Sequence, residues 1–315
     1  MGRKVTIIGA GSVGSTIAYN LSQDDVASEI VLIDVNRDKV EGEVMDIIQG
    51  TCFRDPIAIT AGDYEDAKDS NIVIITSGVA RKPGQSRLEL TQTNVNIIKE
   101  ITPKIVEAAP NAKYIIVSNP VDIITYAFTK LSGLPENQII GSGTVLDTAR
   151  LRCGIAEHFN VAQKNVHAYV FGEHGDTSFV PWSKTYISAV PISEYSRTMK
   201  RSGVNVKPIN KEKMVEYVQK SGGKIIANKG ATFYAVSTAV CHLCKMLIAS
   251  TDTVATVSTM MHGEYGIEDV CLSTLTLVGP NGCQGKVEVS ITDEELELLH
   301  KSANTLKEVI SQIEI

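Results

Sequence analysis

The run Gly9-Ala10-Gly11-Ser12-Val13-Gly14 is the strongest indication of the fold, because it lies between the predicted strand Val5–Ile8 and a predicted helix. In a G-x-G-x-x-G turn the first glycine permits a tight bend, the second lets a pyrophosphate approach the backbone, and the third lets the helix pack closely. The phosphates would lie at the N-terminus of that helix. The stretch predicts a dinucleotide-binding unit whose cofactor-binding residues are Gly9, Gly11, Ser12, Val13 and Gly14.

Asp34 supports this prediction, because it ends the second predicted strand, 20 residues after Gly14. A carboxylate at this place accepts hydrogen bonds from the adenosine ribose and repels a 2′-phosphate, so NAD is favoured over NADP. The alternative is a glycine-rich turn with an incidental aspartate. The flanking strand and helix make that alternative the weaker one.

Strands and helices alternate through the first half of the chain. Each predicted strand is followed by a turn and a helical pattern, which is typical of βαβ units in a parallel sheet. From about Thr144 the alternation stops, and longer helical segments appear with strands near Val166–Phe171 and Cys271–Val278. We therefore predict an α/β protein with a doubly wound Rossmann domain at 1–143 and an α+β catalytic domain at 144–315. The first four predicted strands are Val5–Ile8, Glu29–Ile33, Ile72–Thr76 and Tyr114–Ser118.

Composition excludes several function classes. The 315 residues carry a formal net charge of −6, with 43% hydrophobic and 21% charged residues. A nucleic-acid binder would need a basic surface, so nucleic acid is not an expected partner. The sequence contains no apolar stretch near 20 residues and no signal-peptide pattern, and we expect a cytoplasmic protein without a membrane span.

Six cysteines are too sparse for a disulfide framework in a chain of this length, and reduced thiols are expected. The run Cys241-His242-Leu243-Cys244 is the one pattern that suggests zinc. A zinc site needs a second pair of ligands at suitable spacing, and none follows. The run also falls within an apolar helical pattern at about 225–250. We interpret it as core packing and predict no metal.

Gly172-Glu173-His174-Gly175 places a histidine between glycines, where the backbone can bend and a ligand can approach. Histidine, with a pKa of about 6.5, can exchange a proton with a hydroxyl or carbonyl group at neutral pH. Asp147 could hold its tautomer, and Arg150 could bind a carboxylate through two parallel hydrogen bonds. Each residue alone has a structural interpretation, as a core histidine or a helical ion pair.

Two further segments suggest a ligand site. Asn119 follows the strand Ile115–Ser118 at the carboxyl edge of the sheet, where such folds bind ligands. The segment Gly78–Arg87 combines glycines, a proline and three basic residues after a buried strand. This composition is typical of a mobile lid over an anionic substrate.

The chain resembles the lactate/malate dehydrogenase family over essentially its whole length. The resemblance rests on four runs in order, which are GAGSVG at 9–14, VSNPVD at 117–122, GSGTVLDTAR at 141–150 and GEHGDTS at 172–178. It implies that NAD is the cofactor and that a small 2-oxo or 2-hydroxy acid is the substrate. The resemblance also implies the roles of the site residues. On this basis His174 exchanges the proton, Asp147 is its partner and Arg150 binds the carboxylate. The resemblance further implies that Arg87 polarises the substrate carbonyl, that Asn119 contacts the reacting group and the cofactor, and that Thr232 lines the substrate pocket.

Arg81 bears on which acid is used. In the family, lactate dehydrogenases usually carry glutamine at this position, whereas malate dehydrogenases carry arginine, which pairs with the second carboxylate of oxaloacetate. Closing the lid over pyruvate would bury an unpaired guanidinium, at a cost of several kcal/mol. We therefore expect malate and oxaloacetate to be favoured. The alternative is an L-lactate dehydrogenase in which Arg81 points outward, and GEHGDTS, GSGTVLDTAR and Thr232 resemble the lactate type.

The resemblance also raises regulation and assembly. Arg152 and His167 match the positions at which allosteric bacterial lactate dehydrogenases bind fructose 1,6-bisphosphate between subunits. A structural role for both residues is the alternative. The resemblance implies a homotetramer, although relatives of the malate type can be dimers.

Two rival hypotheses remain to be weighed. A short-chain dehydrogenase needs a Tyr-x-x-x-Lys pair, and Tyr64 and Lys68 have that spacing. They follow the glycines by only about 50 residues, too early to reach the nicotinamide in that fold. A non-catalytic NAD-binding sensor would not need the four residues that an enzyme needs here, and all four are present: His174, Asp147, Arg150 and Arg87. The enzyme hypothesis is therefore preferred.

Overall fold

The computed structural model describes residues 3–80, 84 and 86–315, so Arg81 lies outside the described residues. The helices of the described chain are Ser12–Gln23 (α1), Arg37–Gln49 (α2), Arg87–Ala108 (α3), Val121–Ser132 (α4), Val145–Phe159 (α5), Ile192–Arg201 (α6), Lys211–Lys229 (α7), Tyr234–Ile248 (α8) and Asp293–Ile310 (α9). Its strands are Lys4–Ile8 (β1), Glu29–Ile33 (β2), Ala58–Ala61 (β3), Ile72–Ile75 (β4), Lys113–Ile116 (β5), Ile139–Gly141 (β6), Val166–His167 (β7), Tyr186–Ile187 (β8), Val190–Pro191 (β9), Thr253–His262 (β10), Glu268–Gly279 (β11) and Gly282–Lys286 (β12).

The first half forms a parallel sheet in the order β3-β2-β1-β4-β5-β6. This is the doubly wound order, and the direction in which successive strands are added to the sheet reverses between β1 and β4. At such a switch point a crevice opens beyond the carboxyl ends of the strands. The predicted fold class, a Rossmann domain followed by an α/β domain, is confirmed.

The strands of this sheet are buried because helices cover both faces. All four residues of β4 are buried, as are the last four residues of β1 and of β2. Continuous apolar runs rather than alternating ones are typical of parallel strands covered on both sides. The carboxyl ends of β1, β4 and β5 therefore lie at one edge of the sheet, and residues of the candidate site come directly after these strands in the chain.

One sheet runs through both halves of the chain. Strand β10 joins the parallel part through Ser258, which pairs with Gly141 of β6, and β11 and β12 extend the sheet in antiparallel fashion. Because this pairing crosses the predicted boundary at Thr144, the division into 1–143 and 144–315 stays a prediction. Strands β7, β8 and β9 form a separate small sheet.

The helical pattern predicted at about 225–250 is wrong as one continuous stretch. Helix α7 ends at Lys229 and α8 begins at Tyr234. Gly230 has a φ of +89°, a conformation that glycine adopts at little cost and that ends a helix. Thr232, which the resemblance places in the substrate pocket, lies in the connection between the two helices.

One predicted strand of the second half is shorter in the structure than expected. The strand expected at Val166–Phe171 is regular only over Val166–His167, and Phe171 makes an isolated bridge with Phe179. Thr292 and Glu295 form a capping box at the start of α9. Among the described residues, none of the helices has the length and apolar character that crossing a bilayer requires.

Candidate active site

The glycine turn after β1 forms a site for a dinucleotide. The main-chain nitrogen of Gly9 donates to the Ile33 carbonyl at 2.7 Å, and that of Ala10 donates to Asp34 Oδ2 at 2.7 Å. Asp34 Oδ1 also accepts from the Asn36 nitrogen at 3.0 Å. The carboxylate thus fixes the turn on the end of β2, at the edge of a cavity of about 950 Å³.

The glycines of this turn have different roles. A Cβ built on Gly14 would lie 1.8 Å from the Gly9 carbonyl oxygen, so only glycine allows α1 to approach β1 this closely. A Cβ built on Gly11 meets no described atom within 4 Å, because Gly11 faces the open crevice. Space at Gly11, the N-terminus of α1 at Ser12 and the acid Asp34 fit the pyrophosphate and ribose of NAD. Val13 lies in the same first turn of α1.

His174 and Asp147 form a close pair at the end of this crevice. The Nδ1 atom of His174 lies 2.5 Å from Oδ2 of Asp147. Asp147 is in the first turn of α5, and its side chain is 7% exposed. Because Asp147 accepts at Nδ1, the proton on that nitrogen is fixed and Nε2 is the atom available to a substrate.

The charges around this pair favour the protonated histidine. Burial lowers the pKa of His174, but the carboxylates of Asp147 and Asp122 outweigh burial and hold the pKa above its ordinary value. Burial likewise raises the pKa of Asp147, and His174 and Arg150 together reverse this, so that the net pKa is lowered. Asp147 therefore stays ionised and stabilises an imidazolium.

Arg150 completes the group from the same helix. Its Nη1 donates to Asp147 Oδ1 at 2.9 Å, one helical turn away, and its side chain is 14% exposed. Gly222 lies beside it on α7, and a Cβ there would lie 3.5 Å from Arg150 Nη2. The glycines at 222 and 223 thus leave room for the guanidinium at the cavity wall.

A cavity of about 270 Å³ joins these side chains to the dinucleotide turn. Its size suits a small organic acid rather than a large ligand. Asp147, Arg150 and His174 line one side, and the other lining residues that the sequence predicted are Val13, Asn119 and Thr232. Val13 belongs to the first turn of α1, so His174 and the N-terminus of that helix border the same cavity.

Arg87 lies at the mouth of this cavity rather than inside it. It is the first residue of α3, and its Nη2 donates to Asp176 Oδ2 at 2.8 Å. Both side chains are largely exposed, at 71% and 77%. Asp176 itself lines the cavity. Arg87 can therefore reach the site only by exchanging this ion pair for a substrate contact.

Arg152 and His167 do not line the cavity, and they are 15 residues apart along the chain. The Nε of Arg152 donates to the Ala168 carbonyl at 3.0 Å, and its guanidinium lies 5.1 Å from the centre of the Tyr169 ring. His167 is exposed on β7. Cys241 and Cys244 of the Cys-His-Leu-Cys run are buried in the core beside α1.

Sequence reasoning missed two residues that hold the histidine loop. Gln219 of α7 donates through Nε2 to the carbonyls of Asp176 and Ser178, at 3.1 and 3.0 Å. Asp122 accepts the main-chain N–H of His174 at 2.7 Å. Asp122 is the last residue of the VSNPVD run, and a carboxylate at the start of an apolar helix could have drawn attention to it. Nothing in the sequence around Gln219 points to such a role.

Two family models match this chain, and together they cover nearly all of it. Residues 3–141 match the family described as lactate/malate dehydrogenase, NAD binding domain. Residues 144–314 match the family described as lactate/malate dehydrogenase, alpha/beta C-terminal domain.

Individual relatives are similar along nearly their whole length. The chain is 46% identical over 313 residues to an L-lactate dehydrogenase of Acetivibrio thermocellus, covering 99% of this chain and 98% of that protein. It is 44% identical to L-lactate dehydrogenase 1 of Clostridium acetobutylicum, covering 98% of each. Among solved structures, the minor L-lactate dehydrogenase from Enterococcus mundtii in its ligands-bound form has a TM-score of 0.94 at 36% identity, covering 100% of this chain and 99% of that one.

Proposed function

Because this chain belongs to the lactate/malate dehydrogenase family, we propose that it is an L-lactate dehydrogenase that interconverts pyruvate and L-lactate. It is an NAD-dependent oxidoreductase that acts on a 2-hydroxy acid, and NAD is its cofactor. The observation that carries the proposal is the 2.5 Å pair of His174 and Asp147, with Arg150 bonded to the same carboxylate. These side chains line a cavity that reaches the dinucleotide turn.

In this mechanism His174 transfers the proton. Bound NADH supplies a hydride for the 2-oxo carbon of the substrate. The protonated imidazole donates its Nε2 proton to the substrate oxygen, and in the reverse direction the neutral imidazole accepts the proton from the 2-hydroxyl. Asp147, which is ionised and buried, holds the ring and stabilises the imidazolium through Nδ1.

The other side chains bind and orient the acid. Arg150 pairs with the substrate carboxylate through two parallel hydrogen bonds, which fixes both position and direction. Arg87, on leaving Asp176, and Asn119 stabilise the negative charge that develops on the 2-oxygen. Thr232 bounds the space for the substrate side chain.

The choice of lactate over malate departs from the expectation based on Arg81. That expectation is not supported by the relatives, which are named L-lactate dehydrogenases at 44–46% identity. The motifs GEHGDTS and GSGTVLDTAR and the residue Thr232 agree with the lactate type. Malate dehydrogenase remains a second candidate for one reason, the arginine at position 81, which lies outside the described residues.

We expect kcat/KM for pyruvate to exceed that for oxaloacetate by about tenfold or more, in line with the 1–3 kcal/mol that a single pocket contact contributes to discrimination. Steady-state NADH oxidation with each acid measures the ratio. A ratio below one would contradict the proposal and favour the malate candidate. Arg81→Gln should then reverse the preference, whereas the control Lys82→Gln, which removes the same charge from the next position, should not.

We further propose that the chain assembles as a homotetramer and that Arg152 and His167 bind fructose 1,6-bisphosphate between subunits. Apolar side chains at the end of α2 support assembly, since Met45, Ile48 and Phe53 are 58%, 40% and 90% exposed. Sedimentation with and without fructose 1,6-bisphosphate tests both parts. A monomer at micromolar concentration, or unchanged activity and mass on adding the effector, would contradict the corresponding part.

A further inference from the structure

Asp122 is a buried carboxylate that contacts the main chain of His174. It lies in the first turn of α4, and it is 3% exposed. Its Oδ2 accepts the His174 N–H at 2.7 Å, and its Oδ1 accepts the hydroxyl of Ser258 at 2.6 Å. Within the described residues it forms no salt bridge with a lysine or an arginine.

A carboxylate in this place is costly for folding. Burial raises the pKa of Asp122 to about 6, although the Ser258 hydroxyl, the His174 N–H and the nearby imidazole each oppose the rise. A buried charge without a cation destabilises a fold unless hydrogen bonds satisfy it. A neutral side chain would satisfy the same two groups with less destabilisation. The presence of an acid therefore points to a use for its charge.

The first use is to fix the backbone of the histidine loop. Gly172, which has a φ of +94°, and Gly175 flank the residues between them, and glycines leave a loop conformationally free. Asp122 ties the N–H of His174 to α4, and Ser258 ties the same carboxylate to β10. The imidazole is thereby presented to Asp147 from a fixed backbone position.

The second use is electrostatic. The charged groups that act on His174 are Asp147 and Arg150 from α5 and Asp122 from α4; in its own loop, Asp176 lines the same cavity, and Glu173 acts on Asp122. Asp147 and Asp122 favour the imidazolium, whereas burial and Arg150 oppose it. Asp122 contacts the main-chain nitrogen of His174 and not its ring, so its charge acts on the imidazole from a distance.

We propose that Asp122 is a positioning residue for His174, whose carboxylate fixes the backbone of the catalytic loop and whose charge favours the protonated imidazole. The proposal rests on the proposed function, in which His174 exchanges a proton with the substrate. Reduction of a 2-oxo acid needs the protonated imidazole, so its rate falls as the pH rises through the pKa of His174. Oxidation of a 2-hydroxy acid needs the neutral form and shows the opposite dependence.

Asp122→Asn isolates the charge. An asparagine can keep both contacts, with Oδ1 accepting from His174 and Nδ2 donating to the oxygen of Ser258. We expect the alkaline limb of kcat/KM for pyruvate to move to lower pH by about half a unit to one unit, as expected for the loss of one nearby charge. Above that limb, reduction should be about 3- to 10-fold slower, and the acid limb of lactate oxidation should move in the same direction.

A second variant alters the hydrogen bond to the other carboxylate oxygen of Asp122, the one that does not accept from His174. Ser258→Ala removes a hydrogen bond that lowers the pKa of Asp122. Asp122 then takes up a proton at a higher pH, and the alkaline limb should again move down. Asp269→Asn is the matched control, because that carboxylate pairs with Lys130 at the far end of the same helix. Its profile should match that of the unchanged protein.

A measurement that does not depend on turnover separates this proposal from the proposed function. The imidazole of His174 is titrated by NMR with labelled histidine, and His174→Asn identifies its resonance. A lower titration midpoint in Asp122→Asn supports the proposal even if no 2-oxo acid is reduced, in which case only the proposed function fails. Unchanged midpoints and unchanged pH limbs in both Asp122→Asn and Ser258→Ala would overturn it. If Asp122→Asn does not fold, Ser258→Ala decides the outcome alone.

Discussion

Replacing His174 with glutamine should lower kcat for the reduction of pyruvate by about 10³-fold, within the range contributed by general acid–base catalysis. Glutamine can still donate a hydrogen bond to the substrate oxygen, but it cannot transfer a proton at neutral pH. The KM should change much less, because Arg150 remains to hold the carboxylate. Stopped-flow and steady-state NADH oxidation measure both quantities.

The surface pair of His262 and Glu136 provides a matched control. The Nε2 atom of His262 lies 2.5 Å from the Glu136 carboxylate, as close as His174 lies to Asp147, but the His262 side chain is 62% exposed and does not line the acid cavity. His262→Gln should keep at least about half of the activity, since a surface substitution of this kind changes little. Equal losses in the two variants would show that His174 acts through stability rather than through proton transfer.

Asp147 and Arg150, the two charged side chains of α5 that line the acid cavity, illustrate what a sequence can reveal. Asp147 and Arg150 are three residues apart, and on a helix that spacing places both side chains on one face. The helix begins at Val145, so Asp147 lies in its first turn, where a carboxylate is favoured by the helix dipole. Local spacing therefore predicts the ion pair correctly. Spacing along one helix does not by itself predict the contact between Asp147 and His174, which are 27 residues apart; that pair is predicted from the glycines around His174 and from the family resemblance.

The glycine turn was equally accessible to sequence reasoning. Gly14 and Gly9 approach so closely that no other residue fits at position 14, and such steric demands leave a fixed spacing in the sequence. The histidine between Gly172 and Gly175 could also be recognised from its immediate neighbours in the sequence. Where close neighbours require one residue type, the sequence pattern predicts the local structure.

Other features depend on contacts that are distant along the chain, and these could not be predicted. Gln219 holds the histidine loop from a helix that is 41 residues further on, and Ser258 meets Asp122 across 136 residues. Neither residue belongs to a motif. The junction of Ser258 with Gly141, which joins the two halves into one sheet, is a single pair in register and leaves no periodic pattern. Arg81 shows a different limit, because this one residue favours malate, whereas the motifs GEHGDTS and GSGTVLDTAR and the named relatives favour lactate.

Arg150→Lys should reduce kcat/KM for pyruvate by about 10²- to 10³-fold, because lysine keeps the charge but loses the planar pair of donors that matches a carboxylate. Loss of one charge-assisted hydrogen bond accounts for about 1.5–3 kcal/mol, and a displaced substrate reacts more slowly in addition. The lysine can still pair with Asp147, so the charge that keeps His174 in place is preserved. Most of the loss should therefore appear as a raised KM, with a smaller fall in kcat.

The comparison that isolates carboxylate binding uses three measurements and one control. Affinity for NADH, followed by fluorescence, should be unchanged in Arg150→Lys, because Arg150 lines the acid cavity and not the crevice beside Asp34. Affinity for oxamate, an isostere of pyruvate with the same carboxylate, should fall in parallel with kcat/KM. Arg197→Lys alters an exposed arginine that pairs with Glu194 at the same three-residue spacing, and it should leave all three quantities unchanged. A KM for pyruvate within about threefold of the original value, less than one charge-assisted hydrogen bond would account for, would show that another group binds the carboxylate.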